Sequence, residues 1–346
     1  MATVLVTGGC GFIGSNFVRF ALHRHPDWKI VNLDKLTYAG NPENLRDIVD
    51  DPELSSRYRF VQGDIADNAQ VSQLFADENF TFVFNFAAET HVDRSIGDPG
   101  AFIQTDVYGT YVLLENARER GLQRFIQIST DEVYGSIAEG SFTEKDTLTP
   151  RNPYSASKAG ADRLAYSYHA TYGLDVVVTR ASNNYGPYQY PEKLIPLFVT
   201  NALEDRPLPL YGDGQNIRDW LHVDDHCSAL DYVAHKGQAG EIYNIGGGNE
   251  RTNTEITHLI LRILGKPETL IRHVEDRLGH DRRYSVSTEK LQSLGWIAEK
   301  EFASAMEETI QWYAAHREWW EPIKSGEYKE YYRQMYADRL ERPAST

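Results

Sequence analysis

Short apolar runs rich in Val, Ile and Phe recur through the first half of the chain, at 3–7, 29–33, 58–62, 81–86, 124–129 and 175–180. Runs of this kind read as strands buried on both faces. Between them, 12–25, 42–50, 67–78, 100–120 and 154–172 are long enough for helices. Regular alternation of strand and helix predicts an α/β fold built on a doubly wound parallel sheet. After about residue 182 the pattern loosens. Asn183-Asn184-Tyr185-Gly186-Pro187, Pro207-Leu208-Pro209, Tyr211-Gly212-Asp213-Gly214 and Gly246-Gly247-Gly248-Asn249 are turn clusters. They punctuate what should be a smaller α+β lobe. The expected division is 1–182 for the first domain and mainly 183–346 for the second. Glu241–Ile245 reads as one more strand, so the chain should return to the first domain around 220–247. The tail carries Trp312, Tyr313, Trp319, Trp320, Tyr328, Tyr331, Tyr332 and Tyr336, which predict an amphipathic helix docked by its rings rather than a ligand platform.

Composition narrows the function classes. A chain of 346 residues exceeds one compact core, and 41% apolar with 12% aromatic content supplies a substantial interior. The net charge of −15 argues against a nucleic-acid partner bound through a broad basic surface. Two cysteines, Cys10 and Cys227, make neither a disulfide framework nor a Cys-rich metal site. No run approaches the ~18 apolar residues of a spanning helix, and no signal-peptide pattern opens the sequence. The expectation is a soluble cytoplasmic protein with no membrane partner.

The first strand runs into Gly8-Gly9-Cys10-Gly11-Phe12-Ile13-Gly14, followed by a helix. Gly8 permits a tight turn, Gly11 a close approach to a pyrophosphate and Gly14 close helix–strand packing. The helix N-terminus offers free N–H groups to phosphates. Asp34 ends the second strand twenty residues after Gly14, where an acid takes the ribose hydroxyls of a dinucleotide. The first domain is therefore expected to be a Rossmann domain that binds NAD, because Asp34 repels a 2′-phosphate. Cys10 reads as a small residue in a crowded turn.

Asn152 is a good N-cap and Pro153 opens the next helix, on which Tyr154 and Lys158 share a face. A lysine ammonium near a phenol lowers the phenol pKa and makes a usable base for a hydroxyl. That spacing is commonplace in a chain of 21 tyrosines. Its weight comes from lying on the helix after the fifth strand, near the carboxyl ends where parallel-sheet ligands collect. The fifth strand ends at Ser129-Thr130-Asp131-Glu132. Adjacent carboxyls suppress each other's ionisation, so one can stay protonated beside a charged one. Both can serve one pocket only if the chain leaves strand geometry there. Without the tyrosine and lysine, the pair would read as an acidic, solvated helix start.

These motifs together resemble the extended short-chain dehydrogenase/reductase superfamily. Within it, Ala88-Glu89-Thr90-His91-Val92-Asp93-Arg94-Ser95, Thr130-Asp131-Glu132, Asn183–Pro187 and Pro191–Pro196 narrow the resemblance to the dTDP-glucose 4,6-dehydratase family. Arg218-Asp219-Trp220-Leu221 and Asp276-Arg277-Leu278-Gly279-His280-Asp281 do so too. The resemblance runs from residue 3 to about 335, with Cys10 and Ser287 as small departures. It implies C4 oxidation of dTDP-glucose, loss of water across C5/C6 and return of hydride to C6. Tyr154, with Thr130 and Lys158, would take the C4 hydroxyl proton. Glu132 would remove the C5 hydrogen and Asp131 would protonate the leaving hydroxyl.

The resemblance also implies NAD contacts at Phe12, Ile13, Asp34, Lys35, Leu36, Thr37, Asp64 and Ile65. Ala87, Ala88, Thr105 and Tyr185 complete that set beside the glycines, Tyr154 and Lys158. For the sugar nucleotide it implies Thr90, Thr130, Asn184, Lys193, Leu194, Pro209, Tyr211, Arg218, Asn253, Arg277 and His280. Arg218 and Arg277 are forked donors suited to a diphosphate. His280 near Asp276, Asp281 and Asp224 has no spacing that supports a metal, and none is expected. Helices 100–120 and 154–172, the latter with Ala156, Ala159, Gly160 and Ala161, suit the family's homodimer. A sugar-nucleotide C4 epimerase or uronate decarboxylase needs no acid–base pair at C5/C6, so Asp131 and Glu132 count against both. A non-catalytic NAD-binding protein has no need of the whole catalytic set.

Overall fold

The computed structural model describes residues 2–276 and 279–341. Seven parallel strands form the central sheet: β1 (Ala2–Thr7), β2 (Trp28–Asp34), β3 (Tyr58–Gln62), β4 (Phe82–Asn85), β5 (Arg124–Thr130), β6 (Val176–Ala181) and β10 (Ile242–Ile245). Five further strands lie among the described residues: β7 (Asn183–Tyr185), β8 (Leu208–Tyr211), β9 (Ile217–His222), β11 (Glu250–Thr252) and β12 (Ile271–Val274). The central order is β10-β6-β5-β4-β1-β2-β3. The sheet is doubly wound, as expected, and its order reverses between β1 and β4. At such a reversal the loops part and leave a crevice at the carboxyl ends of the strands.

Alternation along β1 shows how the sheet is buried. Val4 and Val6 join a core on one face with Phe17, Val18 and Leu230, whereas Leu5 joins a second core with Leu113 and Val176. Helices Phe12–Arg24 and Val223–Lys236 supply the first core, and Thr110–Arg120 and Pro153–Tyr172 the second. Strand β3 departs from the expectation of two buried faces. It lies at the sheet edge and leaves Phe60 exposed.

Helix Pro153–Tyr172 begins with a capping box between Asn152 and Ser155 and ends at Gly173 in a left-handed conformation. The helix expected over 100–120 is broken. Pro99–Phe102 is α-helical, Ile103–Gly109 is a π-turn and Thr110–Arg120 is α-helical again. The wider turn brings Asp106 inward, where it accepts from Ser157 Oγ at 2.5 Å and Glu89 N at 2.9 Å. The segment 42–50 is also split, into a 3₁₀ turn Pro42–Leu45 and helix Arg46–Asp50.

Beyond β6 the chain builds the sheets β11-β9-β7 and β12-β8 around a third core containing Tyr185, Phe198, Ile256, Met306 and Trp320. Between them, helix Val223–Lys236 packs on helix Phe12–Arg24, and β10 pairs with β6. The aromatic tail docks through its rings, with Tyr313 and Trp320 fully buried. Among the described residues, no helix is long and apolar enough to cross a membrane.

Candidate active site

A cavity of about 400 Å³ opens over the carboxyl ends of the central strands and runs into the second lobe. Its first end is the glycine turn. Gly8 has φ +68°, and a Cβ there would meet Ala87 N, the first residues past β4, at 2.8 Å. A Cβ on Gly14 would meet Gly8 O at 2.3 Å, so this glycine lets the helix start pack on the turn itself. Helix Phe12–Arg24 begins at Gly11 with no side-chain cap, which leaves its first N–H groups for a ligand. Asp34 accepts from Cys10 N and Leu36 N, both at 2.8 Å, and its carboxylate lines the cavity. Burial pushes its pKa up, opposed by the two backbone donors. A glycine cradle that a Cβ would fill, an uncapped helix start and a buried acid at the end of β2 fit a dinucleotide.

Gly11, Phe12, Ile13, Lys35, Thr37, Asp64, Ile65, Ala87, Ala88 and Thr105 also line this end. Lys35 is paired with Asp64 at 2.7 Å. Two expected contacts do not line the cavity. Leu36 adopts φ +58° and serves Asp34 through its backbone. Tyr185 is 1% exposed, its ring held between His222 and Phe302 in the third core. Cys10 is buried, with Asn32 Nδ2 at 3.3 Å from its sulfur, and burial pushes the thiol up to about 12.

At the middle of the cavity, β5 ends at Thr130 and a 3₁₀ turn, Asp131–Tyr134, follows at once. That break lets Asp131 and Glu132 face the same space as Thr130, Tyr154 and Lys158. Asp131 is 3% exposed, and its Oδ2 has no hydrogen-bond partner among the described residues. Burial raises its pKa well above the carboxylate range. The charges of Glu132 and Asp219 push the same way, against Arg218. Burial thus favours the protonated form of Asp131. Glu132 is only partly buried, with the Tyr284 hydroxyl 3.5 Å from its Oε2.

The expected effect of Lys158 on Tyr154 is not what the structure shows. Burial pushes the phenol well above its ordinary range, with Glu132 and Asp106 adding to it and the Thr130 hydrogen bond opposing. The Lys158 ammonium is turned to Ile128 O at 2.7 Å. Burial lowers its pKa, and the fields of Asp106 and Asp162 resist that. Asp162 is already bound to Arg180 at 2.7 Å, which leaves Asp106 as the nearby acid without an arginine of its own.

The second-lobe end is lined by Thr90, Asn184, Lys193, Leu194, Pro209, Tyr211, Arg218, Asn253 and His280. Arg277 lies outside the described residues. Arg218 is pinned by Ile217 O at 2.7 Å and Asp281 O at 3.0 Å, with its guanidinium over the Tyr284 ring at 4.3 Å. Lys193 donates to Thr90 O at 2.7 Å, and His280 sits 2.5 Å from Asp276.

Several residues in or behind the wall have no site role assigned from sequence. His226 is fully buried and its pKa falls to about 3. Its Nδ1 lies 2.9 Å from Asn184 Oδ1 and fixes that amide. Asp219 accepts from Gly247 N at 2.9 Å and Asn249 N at 2.6 Å, holding the glycine loop. Tyr336 reaches from the tail helix into the cavity wall. Asp219 stood within a quoted motif, whereas nothing in the sequence distinguishes Asp106 or His226 from polar helix residues.

Comparison with known proteins agrees with this geometry. A family model described as GDP-mannose 4,6 dehydratase matches residues 5–309. The chain is 52% identical over 327 residues to a dTDP-glucose 4,6-dehydratase of Streptomyces niveus, covering 93% of this chain and 96% of that protein. It is 52% identical over 310 residues to the low-salt glycan biosynthesis protein Agl12 of Haloferax volcanii, covering 90% and 98%. A dTDP-glucose 4,6-dehydratase of Streptomyces venezuelae, solved with NAD and dTDP, superposes with a TM-score of 0.89 at 51% identity, covering 93% of this chain and all of that one.

Proposed function

The chain belongs to the family described as GDP-mannose 4,6 dehydratase, and from that membership we propose that it is an NAD-dependent hydro-lyase converting dTDP-glucose to dTDP-4-keto-6-deoxyglucose and water. One observation supports dehydration over simple oxidation or epimerisation: a buried Asp131 carboxyl, with its Oδ2 left without a partner among the described residues, stands beside Glu132 at the same cavity wall as Tyr154. Neither of those reactions needs a carboxylic acid and a carboxylate together.

Held at the glycine turn and by Asp34, NAD would accept a hydride from C4 and, once reduced, return it to C6. Tyr154, hydrogen-bonded to Thr130, takes the proton of the C4 hydroxyl. A ketone at C4 acidifies the C5 hydrogen. Glu132 takes that proton, and Asp131 gives its own to the C6 hydroxyl, which leaves as water; Glu132 returns the proton to C5 when hydride is restored to C6. Arg218, Asn253 and Lys193 hold the part of the substrate that does not react, so they grip it equally before and after water loss. The test is a labelled turnover. Deuterium at C4 should appear at C6 of the same molecule, with no net NADH and no crossover in a mixture with unlabelled substrate. Accumulating free NADH would sink the dehydratase reading.

The division into a cofactor domain, 1–182 with a return at 220–247, and a substrate lobe is supported by the separate third core. A homodimer through helices 100–120 and 154–172 is supported by Ile103, Tyr108, Tyr111, Tyr166 and Tyr172, all large, apolar and exposed on those segments.

A further inference from the structure

Among the described residues, one group remote from the cavity brings three metal-ligating side chains together. One donor atom each of His25, Asp231 and His235 lies within 4.8 Å of the others. We propose that these three residues form a second, non-catalytic site for a divalent transition-metal ion of the zinc, copper or nickel kind.

Asp231 and His235 are four apart on helix Val223–Lys236, the spacing by which a helix offers two ligands to one ion. His25 comes from the residue that closes helix Phe12–Arg24, which packs alongside. Its Nε2 lies 2.7 Å from Asp231 Oδ1, and His235 Nδ1 lies 3.4 Å from the same oxygen. Ligands bound at about 2.0–2.2 Å in a tetrahedron stand roughly 3.4 Å apart. Small shifts therefore convert the cluster to a coordination sphere. His235 must trade its contact with Asp231 O, at 2.8 Å, for the ion. Without an ion, the contact between His25 Nε2 and Asp231 Oδ1 holds the two side chains together.

The donor set selects the metal. Two imidazoles and one carboxylate suit zinc, copper and nickel, whereas magnesium and calcium prefer all-oxygen sites. The side chains of His25 and Asp231 are 19% and 14% exposed, and that of His235 is 39%. The site is thus shaped by the fold yet open to water for its remaining positions. The His25 ring stacks on Trp28 at 4.0 Å and 12°, which fixes its orientation before any ion arrives. Trp28 opens β2, so the cluster lies at the end of the sheet opposite the catalytic cavity. An ion there ties two helices over one sheet face and touches none of the chemistry.

The experiment uses the full chain stripped with a chelator and titrated with Cu²⁺. One equivalent should bind, with an electron paramagnetic resonance spectrum showing two imidazole nitrogens and with quenching of Trp28 fluorescence. Zn²⁺ should compete, raise the melting temperature and leave dehydratase turnover unchanged. His235→Ala, on the exposed side, should weaken Cu²⁺ binding by at least about tenfold, the cost of losing even an outer-shell partner. Asp231→Asn should do the same, and His258→Ala, whose histidine pairs with Glu268 elsewhere, should bind like the native chain. Native affinity in both His235→Ala and Asp231→Asn would overturn the proposal, as would the absence of saturable Cu²⁺ binding.

Discussion

Replacing Asp106 by Asn isolates one buried charge. The residue is 1% exposed and its carboxyl is raised to about 6. Burial is the main cause, opposed by Lys158, Ser157 and Glu89 N and reinforced by the charge of Glu89. The amide keeps the shape, can accept from Glu89 N and can donate to Ser157 Oγ. The folded value stands some two pH units above an ordinary carboxyl, equivalent to roughly 3 kcal/mol at about 1.4 kcal/mol per unit. Because the folded value is raised, the native protein has its full stability from this group below about pH 4 and loses it as pH rises through about 6. The variant has no such loss. It should match the native protein at the acid end and exceed it by up to about 3 kcal/mol at pH 8. Turnover should move the other way. Lys158 loses the carboxylate that resists its deprotonation, so the basic limb of kcat against pH should shift to lower pH. Urea unfolding from about pH 4 to 8 at fixed protein concentration, with rate profiles carried on to higher pH, reads both. A stability difference that does not change with pH, together with an unmoved basic limb, would refute the reasoning.

Tyr154→Phe should block the first oxidation, whereas Asp131→Asn with Glu132→Gln should leave it and stop water loss. The double variant should then show NADH-like absorbance on the protein with the 4-keto, still 6-hydroxylated sugar. Native-rate product from it would remove both residues from the mechanism. Asp34→Ala should relax the preference for NAD over NADP. It should also cost about 1–3 kcal/mol in urea unfolding, because Cys10 N and Leu36 N lose their acceptor. Native selectivity in that variant would show that Asp34 serves the turn alone. Tyr111→Glu with Tyr166→Glu should convert a dimer to monomers in sedimentation, and a monomeric native chain would dismiss the interface.

Local chemistry made most of the fold legible. The glycine turn, the Asn152–Pro153 helix start and the buried strands are each written in a few consecutive residues, and each stands where the pattern put it. What escaped was set by contacts distant in sequence. The π-turn over Ile103–Gly109 depends on Ser157 and Glu89 N, and Gly109 rests on Ile65, where a Cβ would meet Cδ1 at 2.5 Å. No helical pattern announces such partners. The rise in the Tyr154 pKa has the same origin. A lysine four residues along the helix suggested a lowered value. The outcome was decided by burial and by acids on β5's turn and on the π-turn. Tyr185, an NAD contact implied by the resemblance, packs into the third core, and nothing in its turn motif says which side of its short strand faces that core.

In the proposed mechanism, strand β9 couples binding to proton supply. Side chains alternate along a strand, so Arg218 and Trp220 share the face that lines the cavity while Asp219 points behind it. On the cavity side, Arg218 is held by two backbone carbonyls and a ring, which fixes its guanidinium before a diphosphate reaches it. Behind, Asp219 holds the Gly247 and Asn249 amides, and its field helps keep the proton on Asp131. Arg218 pulls the same carboxyl in the opposite direction. Engaging a diphosphate offsets that arginine's charge. Its pull on Asp131 then weakens, and the acid holds its proton more firmly when substrate is present than when it is not. In the roles proposed for them, the arginine that anchors the nucleotide thereby strengthens the acid form that water loss requires.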